Sequence, residues 1–400
     1  MLMEAEVRSD ACPFHHGGDD RKSASGSEAG GTVVPNVRTQ NFAQARTILR
    51  SDKVHQAGFM AEQVNRIGSA TRQPILFLEG EAHRVQRGAT ARFFTPRVVT
   101  THYRELMIRL SDNLVGRFRR DKRAQLDQLS LELAVEVASH IVGLTNSDPA
   151  GLTKRLDVFF TGDFDRPRNK LGALAWFLRS QYRVLSFYFR DVAPAIRARK
   201  KQRRDDVISH LIDQGYNGRE ILTECLVYGA AGMATTREFI VMAAWHMLER
   251  EELRASFLAA DESGKIALLE ELLRLEPVVG YIYRRMQSGL PSDAGLEGAE
   301  AGAAVAVDVR AANTDADAFG ERPCEVVPGR HVSAKYGNAG LSFGDGEHRC
   351  PGAQVALLET CLFLERLMQV PGLKLDRPPS LAWNRLVTGY ELRNAVISCD

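Results

Sequence analysis

A long series of amphipathic helical segments runs through the middle of the chain and limits the fold more than any other feature. From near Phe42 to Pro277, apolar residues recur at spacings of three and four, the pattern of helices that bury one face. Neither an internal repeat nor a break in composition divides this stretch, which favours one large helical core. The segments with this periodicity are 102–117, 128–143, 171–190, 205–213, 219–250, 252–260 and 264–275.

The composition changes after Pro277. Gly, Pro and Asp become frequent over 289–346, and one further helix is predicted at 353–368. Short strands are predicted within 32–38, 303–309 and 371–400. The predicted fold class is therefore mainly α with small β-sheets, in a single domain over residues 32–400.

The first 31 residues have a different character. Residues 17–31 contain almost nothing that could be buried, so 1–31 is predicted to be a disordered leader. Cys12, His15 and His16 could be metal ligands, but no fourth ligand follows at zinc-finger spacing. We interpret these three residues as part of a solvated tail.

Charge and apolar runs exclude several classes of protein. The 400 residues carry 52 basic and 50 acidic side chains, which argues against a nucleic-acid binder driven by a charged tail. The basic run at 197–204 is followed by Asp205 and Asp206 and is interpreted as a solvated linker. No apolar run approaches the roughly 20 residues of a membrane-spanning helix, so no membrane anchor is expected. Six sparse cysteines indicate reduced thiols in a cytoplasmic protein.

Cys350 lies in the strongest chemical motif of the chain. Gly346 and Gly352 permit a tight loop before a predicted helix, and backbone N–H groups at a helix N-terminus favour a thiolate. A redox pair would need a second cysteine within four residues, and a zinc site would need more ligands than His348 and Cys350. A buried inert cysteine would not explain the glycines. The motif is that of a nucleophile or a metal ligand.

The run FGDGEHRCPG over 343–352 resembles the haem-binding loop of the cytochrome P450 family. Four further segments resemble motifs of this family in the right order, and the likeness covers about residues 40–400. It implies a cytochrome P450 fold with haem between the central helix and the helix after the cysteine. The four segments are the haem-edge helix at 78–96, the oxygen-activating stretch at 231–236, the Glu-x-x-Arg pair at 271–274 and the Ala-Asn-x-Asp turn at 308–315.

The resemblance assigns the cofactor contacts. Cys350 is expected to be the axial thiolate of haem b iron, which donates electron density that favours O–O cleavage. Phe343 is expected to pack beside the sulfur, and Gly232 and Gly352 to lie against the cofactor. Four cationic side chains are expected at the haem propionates, namely His83, Arg87, Arg284 and His348.

The same resemblance assigns a structural pair. Glu271 and Arg274 are three residues apart on a helix and can form an ion pair. In the family this pair is buried, and its third partner is an arginine in the segment after Asp315. That segment aligns poorly here, and Arg322 is the candidate.

Substrate predictions rest on the pocket. Met233 and Val279 match pocket-lining positions of the family. Nine of the thirty aromatic residues lie within 159–189, where the family has a lid over its pocket. Core packing is the alternative for some of them, but their excess indicates an apolar, fairly large substrate.

One departure from the family pattern affects oxygen chemistry. Thr235 matches the threonine that is expected to hydrogen-bond oxygen and guide protons to it. The usual acid before it is replaced by Ala234, which removes the nearest proton donor. Glu238, one helical turn on, is a candidate to replace that acid through water; the alternative is that it faces solvent beside Arg237.

These residues imply an enzyme, a cytochrome P450 monooxygenase. It is expected to insert one oxygen atom from O₂ into an apolar small molecule, in secondary metabolism, with electrons from a ferredoxin and an NAD(P)H reductase. Ala234 keeps a second hypothesis open: oxidative coupling, desaturation or peroxide-driven oxidation. A haem-based sensor is disfavoured, since it needs neither Thr235 nor an aromatic lid. A cytoplasmic monomer without nucleic-acid partners is expected.

Overall fold

The computed structural model describes residues 33–58, 72–160, 169–289, 296, 298–330, 332, 337–385 and 387–400. The predicted leader at 1–31, with Cys12, His15 and His16, lies outside the described residues. The assignment of 32–400 to a single domain stays a prediction.

Helices dominate the fold. In chain order the α-helices are α1 (Phe42–Arg50), α2 (Gly80–Ala91), α3 (Pro96–Val98), α4 (Arg104–Asp121), α5 (Leu126–Val142), α6 (Pro149–Phe160), α7 (Lys170–Phe187), α8 (Ala193–Lys201), α9 (Val207–Asp213), α10 (Gly218–Tyr228), α11 (Thr235–Glu249), α12 (Glu251–Ala259), α13 (Glu262–Leu275), α14 (Val309–Asn313), α15 (Ala316–Phe319) and α16 (Ala353–Met368). π-Helical turns occupy Val99–Tyr103, Tyr188–Val192 and Gly229–Ala234, and 3-10 turns occupy Ile75–Phe77, Arg92–Phe94 and Gly346–His348.

The helix α11 lies at the centre of the molecule. Every residue from Thr236 to Met247 is buried, which requires neighbours on all sides. Those neighbours are α5, α13 and α16, whose apolar faces contribute to the same core. The chain enters α10 through a capping box, in which Asn217 accepts the N–H of Glu220 and Glu220 accepts the N–H of Asn217. The mainly helical class predicted from periodicity is confirmed.

Three small sheets complete the fold. The four-stranded sheet has the order β1-β5-β4-β2, the three-stranded sheet β3-β9-β6, and β7 pairs with β8. Among the strands of the described residues, β1 and β5 pair in parallel and the other pairs are antiparallel. The strands are β1 (Val37–Arg38), β2 (Val54–Ala57), β3 (Arg123–Gln125), β4 (Tyr281–Met286), β5 (Ala304–Asp308), β6 (Lys374–Arg377), β7 (Ser380–Asn384), β8 (Gly389–Arg393) and β9 (Val396–Ser398).

The interpretation of 197–204 as a solvated linker is wrong for part of the run. α8 extends to Lys201, and the Arg199 side chain is only 2% exposed. Its guanidinium pairs with Asp206 at 2.5 Å and also donates to Asn146 and Thr145. Because this arginine is satisfied on several sides, it ties α8 to the start of α9 rather than facing solvent.

Among the described helices, none has both the length and the apolar character needed to cross a bilayer.

Candidate active site

The loop around Cys350 is shaped by backbone constraints. Cys350 donates its N–H to the carbonyl of Phe343 at 2.8 Å, which closes the loop on itself. Gly346 has φ +70°, and a Cβ at this position would collide with the carbonyl oxygen of Leu49 in α1. Only glycine fits this left-handed position against the backbone of α1. The loop is therefore held in place by close packing before α16 begins.

The Cys350 side chain faces a cavity of about 280 Å³. Burial raises the pKa of the thiol, whereas the N–H groups of Gly352 and Ala353 and the guanidinium groups of Arg87 and Arg349 act in the opposite sense. These N–H groups stand at the N-terminus of α16 and favour negative charge on the sulfur. A partly buried cysteine with N–H donors beside its sulfur and a cavity next to it has the setting of an iron ligand.

The four cationic residues predicted at the propionates lie together at one side of this cavity. His83, on α2, is 2% exposed, and its ring lies 4.1 Å from the ring of His348. Arg87, one turn further on α2, donates to the carbonyl of Arg349. Arg284, on β4, donates to Gln56 at 2.6 Å and to the carbonyl of Tyr283 at 2.9 Å.

The lowered pKa values and the buried nitrogen atoms of these four residues favour the binding of an anion. Burial, together with Arg284, His83 and Arg87, lowers the pKa of His348 to about 3. Burial also lowers the pKa of Arg284 to about 10, and Nδ1 of the buried His83 has no hydrogen-bond partner. Clustered cations lower one another's pKa unless an anion compensates them. A cofactor with two carboxylates fits this side of the cavity, and a thiolate-bound iron fits the position in front of Cys350.

Across the cavity from Cys350, the central helix is distorted. The π-helical turn Gly229–Ala234 separates α10 from α11, and such insertions occur most often at functional sites. Gly232 lines the cavity, and a Cβ built there meets no atom within 4 Å. Thr235 lines it as well and donates its hydroxyl to the carbonyl of Ala231 at 2.6 Å. This part of the wall therefore has free space beside Gly232 and carries the Thr235 hydroxyl in a defined position.

Glu238 is not solvent-facing, so that alternative is wrong. It is 3% exposed, and one oxygen accepts from Arg237 at 3.0 Å and from Arg393 at 2.6 Å. Its other oxygen accepts the N–H of Leu392 at 2.8 Å. With both oxygens occupied, Glu238 ties α11 to β8, and a direct role in supplying protons stays untested.

A buried acid that the sequence interpretation did not select lies behind the threonines. Glu359, on α16, is 2% exposed, and burial raises the pKa of its carboxyl well above the usual range. Thr236 hydrogen-bonds this carboxyl, and its chain neighbour Thr235 faces the cavity. One Glu359 oxygen has no partner. The sequence signal that could have identified Glu359 is the presence of a glutamate on the apolar face of the helix predicted at 353–368.

The cavity wall is mostly apolar, but its apolar side chains are not the aromatic residues of 159–189 that the sequence analysis selected. Val279 lies in the wall, whereas Met233 is completely buried in the helical core. Phe164 lies outside the described residues, and the described aromatic residues of 159–189 are absent from the wall. The apolar lining comes from Leu76, Phe77, Phe239, Val278, Val279, Ile282 and Val387.

Two carboxylates of α10 hold the segment that carries Leu76 and Phe77. Glu220 accepts the N–H of Arg72 at 3.2 Å, and Glu224 accepts the N–H of Ile75 at 3.0 Å. Burial raises the pKa of Glu224 to about 7, and its second oxygen has no partner. The position of this part of the wall therefore depends on α10.

The Glu271–Arg274 pair is fully buried, but its third partner is not Arg322. Arg274 donates to both oxygens of Glu271 at 2.8 and 3.0 Å, and Arg330 lies 3.4 Å from the same oxygens. Arg322 instead pairs with Glu325 at the surface, with 65% of its side chain exposed. The irregular loop after α15 folds back so that the later arginine reaches the pair.

The Glu271–Arg274 pair is connected to the Cys350 loop. Arg274 donates to the carbonyl of Asn313 at 2.7 Å, and Asn313 accepts the N–H of Leu341 at 2.7 Å. Leu341 precedes Phe343 by two residues. The buried pair therefore acts on the loop through the backbone, which is a structural role.

This fold and this site have the features expected of a haem-thiolate protein: a cysteine, a group of cationic side chains and a threonine hydroxyl around one largely apolar cavity. The family model for cytochrome P450 matches residues 266–381. Cytochrome P450 105C1 of a Streptomyces species is 33% identical over 188 residues, 46% of this chain and 47% of its own length. The match thus spans about half the length of that relative.

Two further comparisons extend over more of the chain. Cytochrome P450(BM-1) of Priestia megaterium is 26% identical over 300 residues, 73% of this chain and 69% of its own length. The structure of a mutant of P450 EryK in complex with erythromycin B superposes with a TM-score of 0.72 at 21% identity, covering 90% of both chains.

The family model, the curated relatives and the structural neighbours together support a bacterial-type cytochrome P450. Members of this family are oxidoreductases that hold haem iron through an axial cysteine. The residues around the cavity fit that cofactor: Cys350, Arg284 and His348 line the cavity, and His83 and Arg87 lie near His348. Their roles as iron ligand and carboxylate partners stay predictions.

Proposed function

We propose that the chain is a monooxygenase that inserts one oxygen atom from O₂ into an apolar small molecule. The observation that carries this proposal is the placement of Cys350 and Thr235 in the wall of one cavity. A thiolate supports O–O cleavage from one side, and a hydroxyl is available for proton transfer on the other. A haem-based sensor needs no positioned hydroxyl, so this arrangement favours an enzyme.

The residues of the chain have separable tasks in this reaction. Bound haem would supply the oxygen chemistry, and its reactivity is set by the axial ligand and by the protein around it. Cys350 would hold the iron, and Phe343, which lines the same cavity, would shield the sulfur from water. His83, Arg87, Arg284 and His348 would neutralise and orient the carboxylates.

Proton supply rests on groups beside the cavity. The Thr235 hydroxyl donates to Ala231 in the described state and has lone pairs that can accept from water. Burial raises the pKa of Glu359 well above its usual range, which favours its protonated form, and the carboxyl is hydrogen-bonded to Thr236. Since Ala234 provides no carboxyl, we propose Glu359 as the proton reserve and Thr235 as the group that orients water.

The substrate is proposed to be apolar because the wall is lined mainly by aliphatic and aromatic side chains. Leu76 and Phe77 belong to a segment held by Glu220 and Glu224, which gives this wall a defined position. A role in secondary metabolism remains part of the proposal; the structural neighbour bound to erythromycin B is in keeping with it.

Electrons are proposed to come from a ferredoxin and its NAD(P)H reductase. The Cys350 loop reaches the surface at Glu347, which is 50% exposed. Arg84, 3.6 Å from Glu347, and Arg50, 3.7 Å from Asp345 of the same loop, are both more than half exposed. Exposed cations near the thiolate suit an acidic electron donor. A cytoplasmic monomer is proposed for the free enzyme.

Turnover by the haem-loaded protein tests the proposal. A panel of apolar compounds is screened for binding spectra, and binders are incubated with a ferredoxin, its reductase and NADPH under ¹⁸O₂. The expected product contains one labelled oxygen atom, and Cys350→Ser abolishes its formation. Unlabelled product, or turnover retained in Cys350→Ser, would contradict monooxygenation at this site.

Ala234 supports a second candidate: oxidative coupling, desaturation or peroxide-driven oxidation. These reactions place different demands on proton delivery, so the replacement of the usual acid by Ala234 favours them. Hydrogen peroxide in place of the reductase chain distinguishes the two candidates. Faster product formation with peroxide than with ferredoxin would favour the second.

A further inference from the structure

The outer face of α7 exposes an apolar stripe. Spacings of three and four residues place its side chains on one side of the helix, running on into the π-turn that follows. Each is between 50% and 83% exposed. The residues of this face, here called the α7 face, are Leu171, Leu174, Phe177, Leu178, Tyr182, Leu185 and Phe189.

This concentration is unusual within the described part of the chain. Only three other large apolar side chains there are exposed, Val34, Val85 and Val158, and they are far apart in sequence. A contiguous apolar patch of seven large side chains indicates a surface that is covered by another partner. None of the seven lines the cavity, so the α7 face is distinct from the candidate active site.

The charged side chains of the α7 segment itself have one sign. Between Asn169 and Arg190 the sequence contains Lys170, Arg179, Arg183 and Arg190 and no acidic residue. Within the described residues, none of these four cations forms an ion pair with a carboxylate. Apolar side chains flanked only by cations are characteristic of helices that lie in the interface of an anionic membrane.

A second copy of the chain fits this surface less well. If two α7 faces packed together, eight cations would approach one another with no acidic residue on either helix. Like charges brought together at an interface oppose association. Anionic headgroups would instead neutralise the same cations while the stripe enters the acyl boundary.

We propose that the α7 face is a peripheral binding surface for anionic lipid bilayers. The helix would lie parallel to the membrane, with Leu174, Leu178 and Leu185 at its deepest points and Arg179 and Arg190 at the headgroups. This proposal does not depend on the reaction catalysed, because the cavity residues take no part in it.

Vesicle sedimentation of the full haem-loaded chain tests the proposal. One set of vesicles contains phosphatidylcholine alone, and the other contains about one-third phosphatidylglycerol. The wild type is expected to bind the anionic vesicles and to dissociate as salt is raised, because screening weakens the electrostatic part. Each cation near the surface contributes roughly fivefold to the partition coefficient.

Two variants separate the apolar and charged contributions. Leu174→Gln/Leu178→Gln/Leu185→Gln should lower the partition coefficient by on the order of tenfold or more. Arg179→Glu/Arg190→Glu should lower it roughly 25-fold or more, with most of the loss on anionic vesicles. The matched control is Arg119→Glu/Arg120→Glu, which makes the same charge change at exposed positions of α4 and should bind like the wild type.

Several results would overturn the proposal. Failure of the wild type to bind anionic vesicles would do so, as would equal binding to neutral vesicles or equal loss in the α4 control. Analytical ultracentrifugation without lipid tests whether a second copy of the chain binds this face instead. A dimer that dissociates in the leucine variant would assign the α7 face to a second copy. Binding to an acidic carrier protein without vesicle binding would assign it to a protein partner.

Discussion

Removal of Arg330 should destabilise the protein far more than removal of Arg322. The Arg330 side chain is 9% exposed and lies 3.4 Å from both oxygens of the fully buried Glu271. It also donates to the carbonyls of Phe319, Arg322 and Glu325 at 2.7 to 2.9 Å. Hydrogen bonds to charged groups contribute about 1.5–3 kcal/mol each. Loss of two of them already reaches the roughly 3–5 kcal/mol that is typical of breaking a buried ion pair.

Arg322→Ala is the matched control, since it removes an arginine from the same loop. Its surface pair with Glu325 contributes only about 0.2–1 kcal/mol. Urea unfolding of the haem-loaded protein measures both variants, followed by haem absorbance and by far-ultraviolet circular dichroism. The free energy of unfolding should fall several times further in Arg330→Ala, and haem should be released at lower urea, because the Glu271–Arg274 pair supports the Cys350 loop.

Arg330→Lys separates charge from geometry. A lysine keeps the charge but cannot reach three carbonyls at once, so we expect a stability between those of the wild type and Arg330→Ala. Equal destabilisation by Arg330→Ala and Arg322→Ala would refute the assignment of Arg330 as the third partner. A lysine variant as stable as the wild type would show that the carbonyl hydrogen bonds contribute little.

The other predictions concern single groups around the cavity. His83→Ala/Arg87→Ala should lower haem content several-fold after gel filtration, because two of the four cations for the carboxylates are lost. Glu359→Gln should keep the contact with Thr236 but lose the proton, so product per NADPH should fall by about 10–10²-fold and peroxide should rise. Glu224 has its pKa raised to about 7 in the folded protein, from 4.5, so its contribution to stability is fully present below about pH 4.5 and is lost as pH rises to about 7. Glu224→Gln should flatten the pH dependence of unfolding in that window by roughly 3 kcal/mol.

Controls and contrary results differ for each. Arg119→Ala/Arg120→Ala on α4 should retain normal haem content, and equal haem loss in both double variants would contradict the propionate assignment. If Glu359→Gln formed as much product per NADPH as the wild type, Glu359 would not be the proton reserve for Thr235. A pH profile that stays equally steep in Glu224→Gln would place the titrating group elsewhere.

The sequence predicted most of the helical part of this fold, because its signals are local. α1 begins at Phe42 and α16 spans 353–368, as the periodicity indicated, and the other predicted helices end within a few residues of the observed ones. α6 and α8 were not among the predicted segments. The strands near 304–308 and after 371 follow the same logic. Which strands pair could not be predicted, since β1 and β5 are parallel neighbours separated by most of the chain.

The candidate site was predictable where a motif is contiguous and unpredictable where contacts come from irregular loops. Cys350 stands in a run of glycines that only a tight loop explains. Arg330 lies in a segment without helix or strand periodicity, so no spacing distinguished it from Arg322. Arg199 stands in a row of cations, and nothing local shows that one of them is buried. Met233 was assigned to the pocket from its match to a family position, and in this chain it is buried in the core instead.

The π-turn at Gly229–Ala234 makes the chain unusually sensitive to length at this point. A π-turn accommodates one residue more than the α-helix around it. Deleting any one of its residues would restore a regular helix without removing a functional side chain. Each residue turns a helix by about 100°, so one half of the central helix would rotate by that amount against the other. Such a deletion would move Thr235 away from the cavity or Glu238 away from Arg393. Its effect should be as severe as replacing either residue.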